Sequence, residues 1–530
     1  MQLYIHVPFC VKKCHYCTFF SLPANQLSIL ENFRPKLMQI DAATNIYEGI
    51  EEVIPQKAQN VQSLSSFLIG KKQDSSPQFI ADEDTTQQAH PLTLADAFLS
   101  KEQADILRAK FGISEFSPQN KQRKKAKRMK LPKEFCFHFL EEHPLKQSPE
   151  FQLWKTTLLK ELSILAEQYK NKPITSIFFG GGTPSYIPIK DMEDILFFII
   201  GHFSVLEDCE ISLEANPESM TNIKAVAYKK MGFNRVSLGV QSLNNKYLQI
   251  LGRPHSNHDA QKAYHALRSA GFANISLDFI WAIPEQRLRT WTDDLKEAIK
   301  LSPEHISAYG LSIEEGSYFD LLDKEGKLKL AGEQEQAQMY KTASAMLEEA
   351  GYMQYEISNY AKMGYQCRHN LGYWLGNDYL GAGPSAASTV GNIRRTHSAN
   401  LEEWAIDIST GFANDIEAQI HGKKYSGASN YTTEYLSKTE QLCELVMLRL
   451  RTTKGLNVAE YNERSKSNFL KEHKQLLQLL DKNNLMRIKN GYVYFTRNGM
   501  LVSNSILEHF FRNIRENQAK LENQAKTALE

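Results

Sequence analysis

The sequence has no long apolar run. Its longest, Ile195 to Ile200, is far short of the roughly 20 residues that cross a bilayer. It also has no charge bias: 62 basic residues face 61 acidic ones, so no global field favours nucleic acid or an anionic partner. Cysteine is scarce and odd in number. Of seven, Cys10, Cys14 and Cys17 stand close together, while Cys136, Cys209, Cys367 and Cys443 are scattered. That pattern suits a metal site better than a disulfide framework. A strand-like run begins at Leu3, which leaves no room for a charged n-region, an apolar core and a cleavage site. The expectation is a cytoplasmic protein that binds no nucleic acid.

What is present is alternation. Strand-like runs at Leu3–Phe9, Ser176–Gly180, Glu210–Asn216, Arg235–Gln241, Asn274–Ala282 and His305–Ile313 are separated by helical patterns near 188–201, 221–231, 258–270 and 290–301. Six such units predict an α/β fold built on a parallel sheet, either a partial barrel or a doubly wound sheet. Residues 22–150 interrupt the pattern after the first strand. This insertion contains a polar stretch, Lys71 to Pro91, and a helix-compatible stretch, Leu92–Phe111. It also contains a basic run, Lys121 to Lys130, with seven Lys or Arg. A solvated linker is the plain reading of that run, with docking to anionic lipid or nucleic acid as the alternative. Further on, helices precede Leu485–Asn490, an Asn490–Gly491 turn and Tyr492–Thr496, which reads as a hairpin in a winged-helix-like module. The expected division is a first strand and loop at 1–21, the insertion at 22–150, a barrel at 151–400, a C-terminal α+β domain at 401–511 and a polar tail at 512–530.

Polar or glycine-rich signals follow the strands. Cys10-Val-Lys-Lys-Cys14-His-Tyr-Cys17 follows the first, and Gly180-Gly181-Gly182-Thr183-Pro184 the second. Glu214-Ala-Asn216-Pro217 and Gln241-Ser242 close the next two, and the fifth carries Asp278. In parallel sheets the loops at the carboxyl ends of the strands converge on the ligand site. Three thiolates at this spacing fit one face of a [4Fe–4S] cubane and leave one iron without a protein ligand. A zinc site completed by His15 or His6 is the alternative. Glycines let backbone approach a ligand closely.

These motifs resemble the radical SAM proteins. Tyr4-Ile-His6-Val-Pro-Phe-Cys10, Phe-Gly-Gly-Gly-Thr-Pro-Ser, Leu-Glu214-Ala-Asn-Pro and Gly-Val-Gln241-Ser through Leu-Gly-Arg253 are similar to the coproporphyrinogen dehydrogenase-like branch. The resemblance implies a partial (β/α)6 TIM-like barrel whose cluster sits on Cys10, Cys14 and Cys17. It also implies S-adenosylmethionine contacts at Tyr4, Gly181, Gly182, Thr183, Glu214, Gln241, Arg253 and Asp278. A guanidinium such as Arg253 suits the carboxylate of the methionine moiety, and acceptors suit its ammonium and ribose hydroxyls.

Two types within the branch differ at readable positions. The dehydrogenases, which decarboxylate coproporphyrinogen III, carry a fourth cysteine where this chain has Phe19. The HemW-like haem chaperones carry His-Asn-x-x-Tyr-Trp, matched here by His369-Asn370-Leu-Gly-Tyr373-Trp374. That resemblance implies haem as ligand, with His369 or Cys367 at the iron, and apo-haemoproteins such as respiratory enzymes as recipients. From residue types alone, His369, Tyr373 and Trp374 equally suit a packed aromatic cluster.

Overall fold

The computed structural model describes residues 1–24, 27, 127–130, 143–420 and 429–527. Lys71 to Pro91, Leu92–Phe111, Cys136 and the basic run before Lys127 lie outside the described residues.

The six expected strands form and pair in parallel. They are β1 (Gln2–Val7), β2 (Pro173–Gly181), β3 (Ser204–Ala215), β4 (Arg235–Gln241), β5 (Ile275–Trp281) and β6 (His305–Gly310), side by side in that order. Helices cover the outside, so these strands are buried on both faces and read as nearly continuous apolar runs. The helices are α1 (Pro149–Tyr169), α2 (Ile189–His202), α3 (Asn222–Met231), α4 (Asn257–Ser269) and α5 (Leu288–Leu301). The Ser148 hydroxyl caps α1, a Ser256–Asp259 capping box starts α4, and α3 stops at left-handed Gly232.

The sheet extends beyond the six units. Tyr379–Ala382, here β7, pairs in parallel with the free side of β1, and three antiparallel strands continue from it to Thr432–Tyr435. Two short strands, Asn359–Ala361 and Met353–Gln354, continue the sheet beyond β6.

Two expected boundaries are corrected. Leu401, Trp404, Ile408, Phe412, Ile416 and Tyr431 belong to the core of the barrel, with the Leu401–Thr410 helix packed on α1. Apart from Tyr340, the second core is built from the Lys438–Leu450 helix onward, so 401–435 pack with the barrel. Nor are residues 512–527 a plain polar tail. They continue the Ser503–Thr527 helix, whose Phe510 and Ile514 are buried in that second core. The hairpin forms as read: Met486–Lys489 and Tyr492–Phe495 flank Asn490 and Gly491, both at positive φ, with Leu456–Asn457 as third strand. No described helix is long and apolar enough to cross a membrane.

Candidate functional site

The cysteine loop is built onto the carboxyl ends of β1 and β2. After Pro8 breaks β1, Phe9–Cys10 pairs with Leu22–Pro23, which closes the loop at its base. Gly182 N–H donates to Val7 O at 2.7 Å and Thr183 N–H to Phe9 O at 2.8 Å. Farther along, His15 N–H donates to Leu251 O, and Cys17 N–H returns to Cys14 O at 3.3 Å. A side chain at Gly182 would lie 2.8 Å from both carbonyl oxygens and 3.1 Å from Cys10 Sγ, so glycine is required there.

The thiols meet donors. Thr183 Oγ1 lies 3.4 Å from Cys10 Sγ, and Arg253 Nη1 lies 3.4 Å from Cys14 Sγ. Burial pushes the Cys10 thiol up to about 11 and raises Cys17 as well, an unfavourable setting for thiolates without a cation. Among the described residues no three His, Cys, Asp or Glu side chains converge on a single ion. Cluster ligands bind separate irons and so stand farther apart. His6, a fourth ligand in the zinc alternative, has Nδ1 against Tyr4 Oη at 3.2 Å and Nε2 against Phe20 O at 3.0 Å. His15 Nδ1 is bonded to Ile250 O at 2.8 Å.

The other candidates line the barrel above and beside this loop. Tyr4 stacks on Phe178 with ring centroids 6.3 Å apart. Gly181 takes φ 107° and its N–H donates to Glu214 at 3.2 Å. Gln241 also adopts a left-handed conformation, φ 65°, at a bulge that ends β4. Strained backbone of this kind collects at functional sites. Arg253 reaches from the loop toward the strand ends. Its Nη2 donates to Asn216 Oδ1 at 2.7 Å and to Gly239 O at 3.2 Å, and its buried Nε has no partner. Asp278 lies at mid-strand, below the rim, where Ser237, Ser276 and Ser307 donate to it at 2.7, 2.8 and 2.7 Å. A carboxylate accepts about four hydrogen bonds, so one position is left for a ligand.

Glu214 is part-buried beside Asp278. Burial first, then the Asp278 charge, push its carboxyl up to about 8. Folding therefore takes up a proton here, and stability falls as pH rises from about 5 to 8, by at most roughly 1.4 kcal/mol per pH unit. Replacing Glu214 by Gln is expected to flatten that part of the profile in thermal melts of the cluster-free protein. An unchanged slope would remove Glu214 as its source.

His369 is brought elsewhere. Helix α7 (Arg368–Trp374) packs against the amino ends of the strands, opposite the cysteine loop. His369 is 1% exposed, stacks on Phe178 at 5.0 Å, and bonds Ser176 Oγ through Nδ1 at 2.9 Å and Tyr373 Oη through Nε2 at 3.0 Å. Burial, then the Arg235 charge, push it down to about 3, so the ring is neutral. Cys367 is buried as well, its thiol 3.5 Å from Glu210. Arg235, Glu210, His305 and Tyr355 escaped sequence reasoning. For Arg235 and His305 the available signal was a charged or polar residue at the start of an otherwise apolar strand; Glu210 lies inside β3, and Tyr355 follows a two-residue strand.

Known proteins match both halves of this arrangement. The radical SAM superfamily matches residues 147–298, and the HemN C-terminal domain matches 436–502. The "Heme chaperone HemW" of Synechocystis is 32% identical over 376 residues, covering 67% of this chain and 86% of that protein. This chain belongs to the HemW family. The Bacillus subtilis HemW is 29% identical, covering 71% of this chain and 94% of its own length. Among solved structures, the radical SAM coproporphyrinogen III oxidase HemN of Escherichia coli superposes with a TM-score of 0.59. At 16% identity it covers 97% of this chain and 88% of its own, a likeness of fold. A radical SAM domain implies a [4Fe–4S] cluster and S-adenosylmethionine. The three-thiol loop, the orphan Arg253 Nε and the open position on Asp278 fit both groups.

Proposed function

We propose that this chain binds haem and hands it to apo-haemoproteins such as respiratory enzymes, with a [4Fe–4S] cluster and S-adenosylmethionine as resident groups. Cys10, Cys14 and Cys17 hold the cluster, which supplies an iron without a protein ligand. Tyr4, Gly181, Gly182, Thr183, Glu214, Gln241, Arg253 and Asp278 line the S-adenosylmethionine site. Arg253 Nε faces its carboxylate, while Glu214 and Asp278 accept from its ammonium and hydroxyls. The exposed Phe19, in place of a fourth cysteine, weighs against coproporphyrinogen decarboxylation.

The observation that carries the haem reading is the His369–Trp374 motif, set on one helix inside a HemW-family barrel. A neutral imidazole is the form that ligates iron. Both His369 nitrogens are already bonded, so iron takes the place of Tyr373 or Ser176. Hemin titration of wild type and His369→Ala, read at the Soret band, tests this. Wild type is expected to bind one hemin and the variant to bind weakly. Equal binding removes His369 as ligand, and no binding by wild type sinks the function. If iron displaces Tyr373, Tyr373→Phe frees Nε2 and is expected to tighten hemin by about fivefold, one net hydrogen bond. Weaker binding in Tyr373→Phe would instead assign the hydroxyl a direct role.

A further inference from the structure

The amino ends of the barrel strands carry polar groups that the site above does not use. Arg235 is 2% exposed, and His305, Ser276 and Ser307 are as deeply buried. Buried polar groups are costly unless bonded, so their partners are informative. Ser276 and Ser307 both donate their single hydroxyl hydrogen to Asp278. Ser276 Oγ can then only accept from His305 Nδ1, 2.8 Å away. His305 is neutral, held so by burial and by the Arg235 charge, so its Nε2 is the acceptor. Tyr355 Oη therefore donates to that Nε2 at 2.8 Å, and itself accepts from Cys367 N–H at 3.4 Å.

The result is one chain of donors running from Cys367 N–H through Tyr355, His305 and Ser276 to Asp278. Its far end is the start of α7. Glu210 accepts the next two amides, Arg368 N–H at 2.9 Å and His369 N–H at 3.0 Å. Arg235 is within electrostatic reach of both Glu210 and Asp278. The first three amides of the helix region that bears His369 thus end on two side chains, one of which is wired to Asp278 at mid-strand.

We propose that Tyr355 and His305 are positioning residues that couple the S-adenosylmethionine site to helix α7 through this chain. The proposal rests on the reading that Asp278 faces S-adenosylmethionine. A cationic ligand beside Asp278 fixes the carboxylate that anchors the chain, and with it every donor back to Cys367. Ligand at one mouth then tightens the helix at the other.

Hydrogen exchange by mass spectrometry, on the anaerobically reconstituted full chain with and without S-adenosylmethionine, tests it. Exchange at residues 367–371 is expected to slow by about threefold or more on ligand addition, where a coupling of 1 kcal/mol corresponds to about fivefold. Tyr355→Phe removes one hydroxyl and is expected to abolish that slowing while ligand affinity stays within about twofold. Ser276→Ala cuts the same chain from the other end and is expected to abolish the slowing too, read at saturating ligand because Ser276 touches Asp278, which keeps the test open if one variant folds poorly. Slowing that survives both substitutions overturns the proposal. So does bound ligand that leaves exchange at 367–371 unchanged or faster. Failure of S-adenosylmethionine to bind wild type overturns the underlying site reading as well.

Discussion

Replacing Glu210 by alanine is expected to destabilise the barrel by about 3–5 kcal/mol, the cost of removing one partner from a buried charged network. Its carboxylate accepts two amides and faces the Cys367 thiol at the start of α7, and it shares the Arg235 field. Without it, one buried and one part-buried amide lose their acceptor, and the buried Arg235 guanidinium loses a nearby counter-charge. Thermal unfolding of the cluster-free protein is expected to shift down by about 5 °C. Glu210→Gln keeps an acceptor but not the charge, and should lose about half as much. A shift below about 2 °C for the alanine variant would mean that apolar packing alone holds the helix.

Gly182→Ala is the second large effect, and it acts at the other mouth. Its added carbon meets two carbonyl oxygens that already accept the Gly182 and Thr183 amides, so neither can turn away. Either β2 or the loop below Cys10 moves, at about 1–3 kcal/mol for overpacking, and the first cysteine leaves its place. Iron and sulfide per chain after anaerobic reconstitution are expected to fall by most of their amount, with helical content by circular dichroism largely kept. Normal incorporation would show that the loop tolerates the shift. The alanine variant at Gly332, where an added carbon meets nothing and φ is −65°, is the matching control for the substitution itself.

The sequence carried these two places unequally. The six parallel strands and four of their helices were legible because runs buried on both faces alternate with amphipathic segments bounded by Gly, Pro and capping Ser. Tyr379–Ala382 was not, since four residues give too little pattern, and its partner stands at the other end of the chain. The Leu401–Thr410 helix shows an apolar face, but no periodicity says which core that face meets. The cysteine loop and triple glycine were legible because cluster chemistry fixes residue types and spacing. The polar interior was not: Arg235 and His305 look like ordinary strand-boundary residues, and only the assembled sheet turns them inward. For His369 the residue type suited a ligand and a core histidine alike. The fold spends both ring nitrogens, which makes the ligand role conditional on exchanging a partner.

The place of β1 in the sheet has a kinetic consequence. It is synthesised early, yet its two neighbours contain Ser176 and Tyr379, and Gln2 pairs with both. Each closure spans a long loop, and such non-local pairings are slow to form. From its emergence until residue 382 has been made, the run Leu3 to Phe9, buried in the finished fold, cannot be paired on both sides. An unpaired apolar strand is a template for aggregation. The seam between β1 and β7, near the middle of the finished sheet, therefore closes late, and protein-folding assistance acting on the nascent chain should matter there.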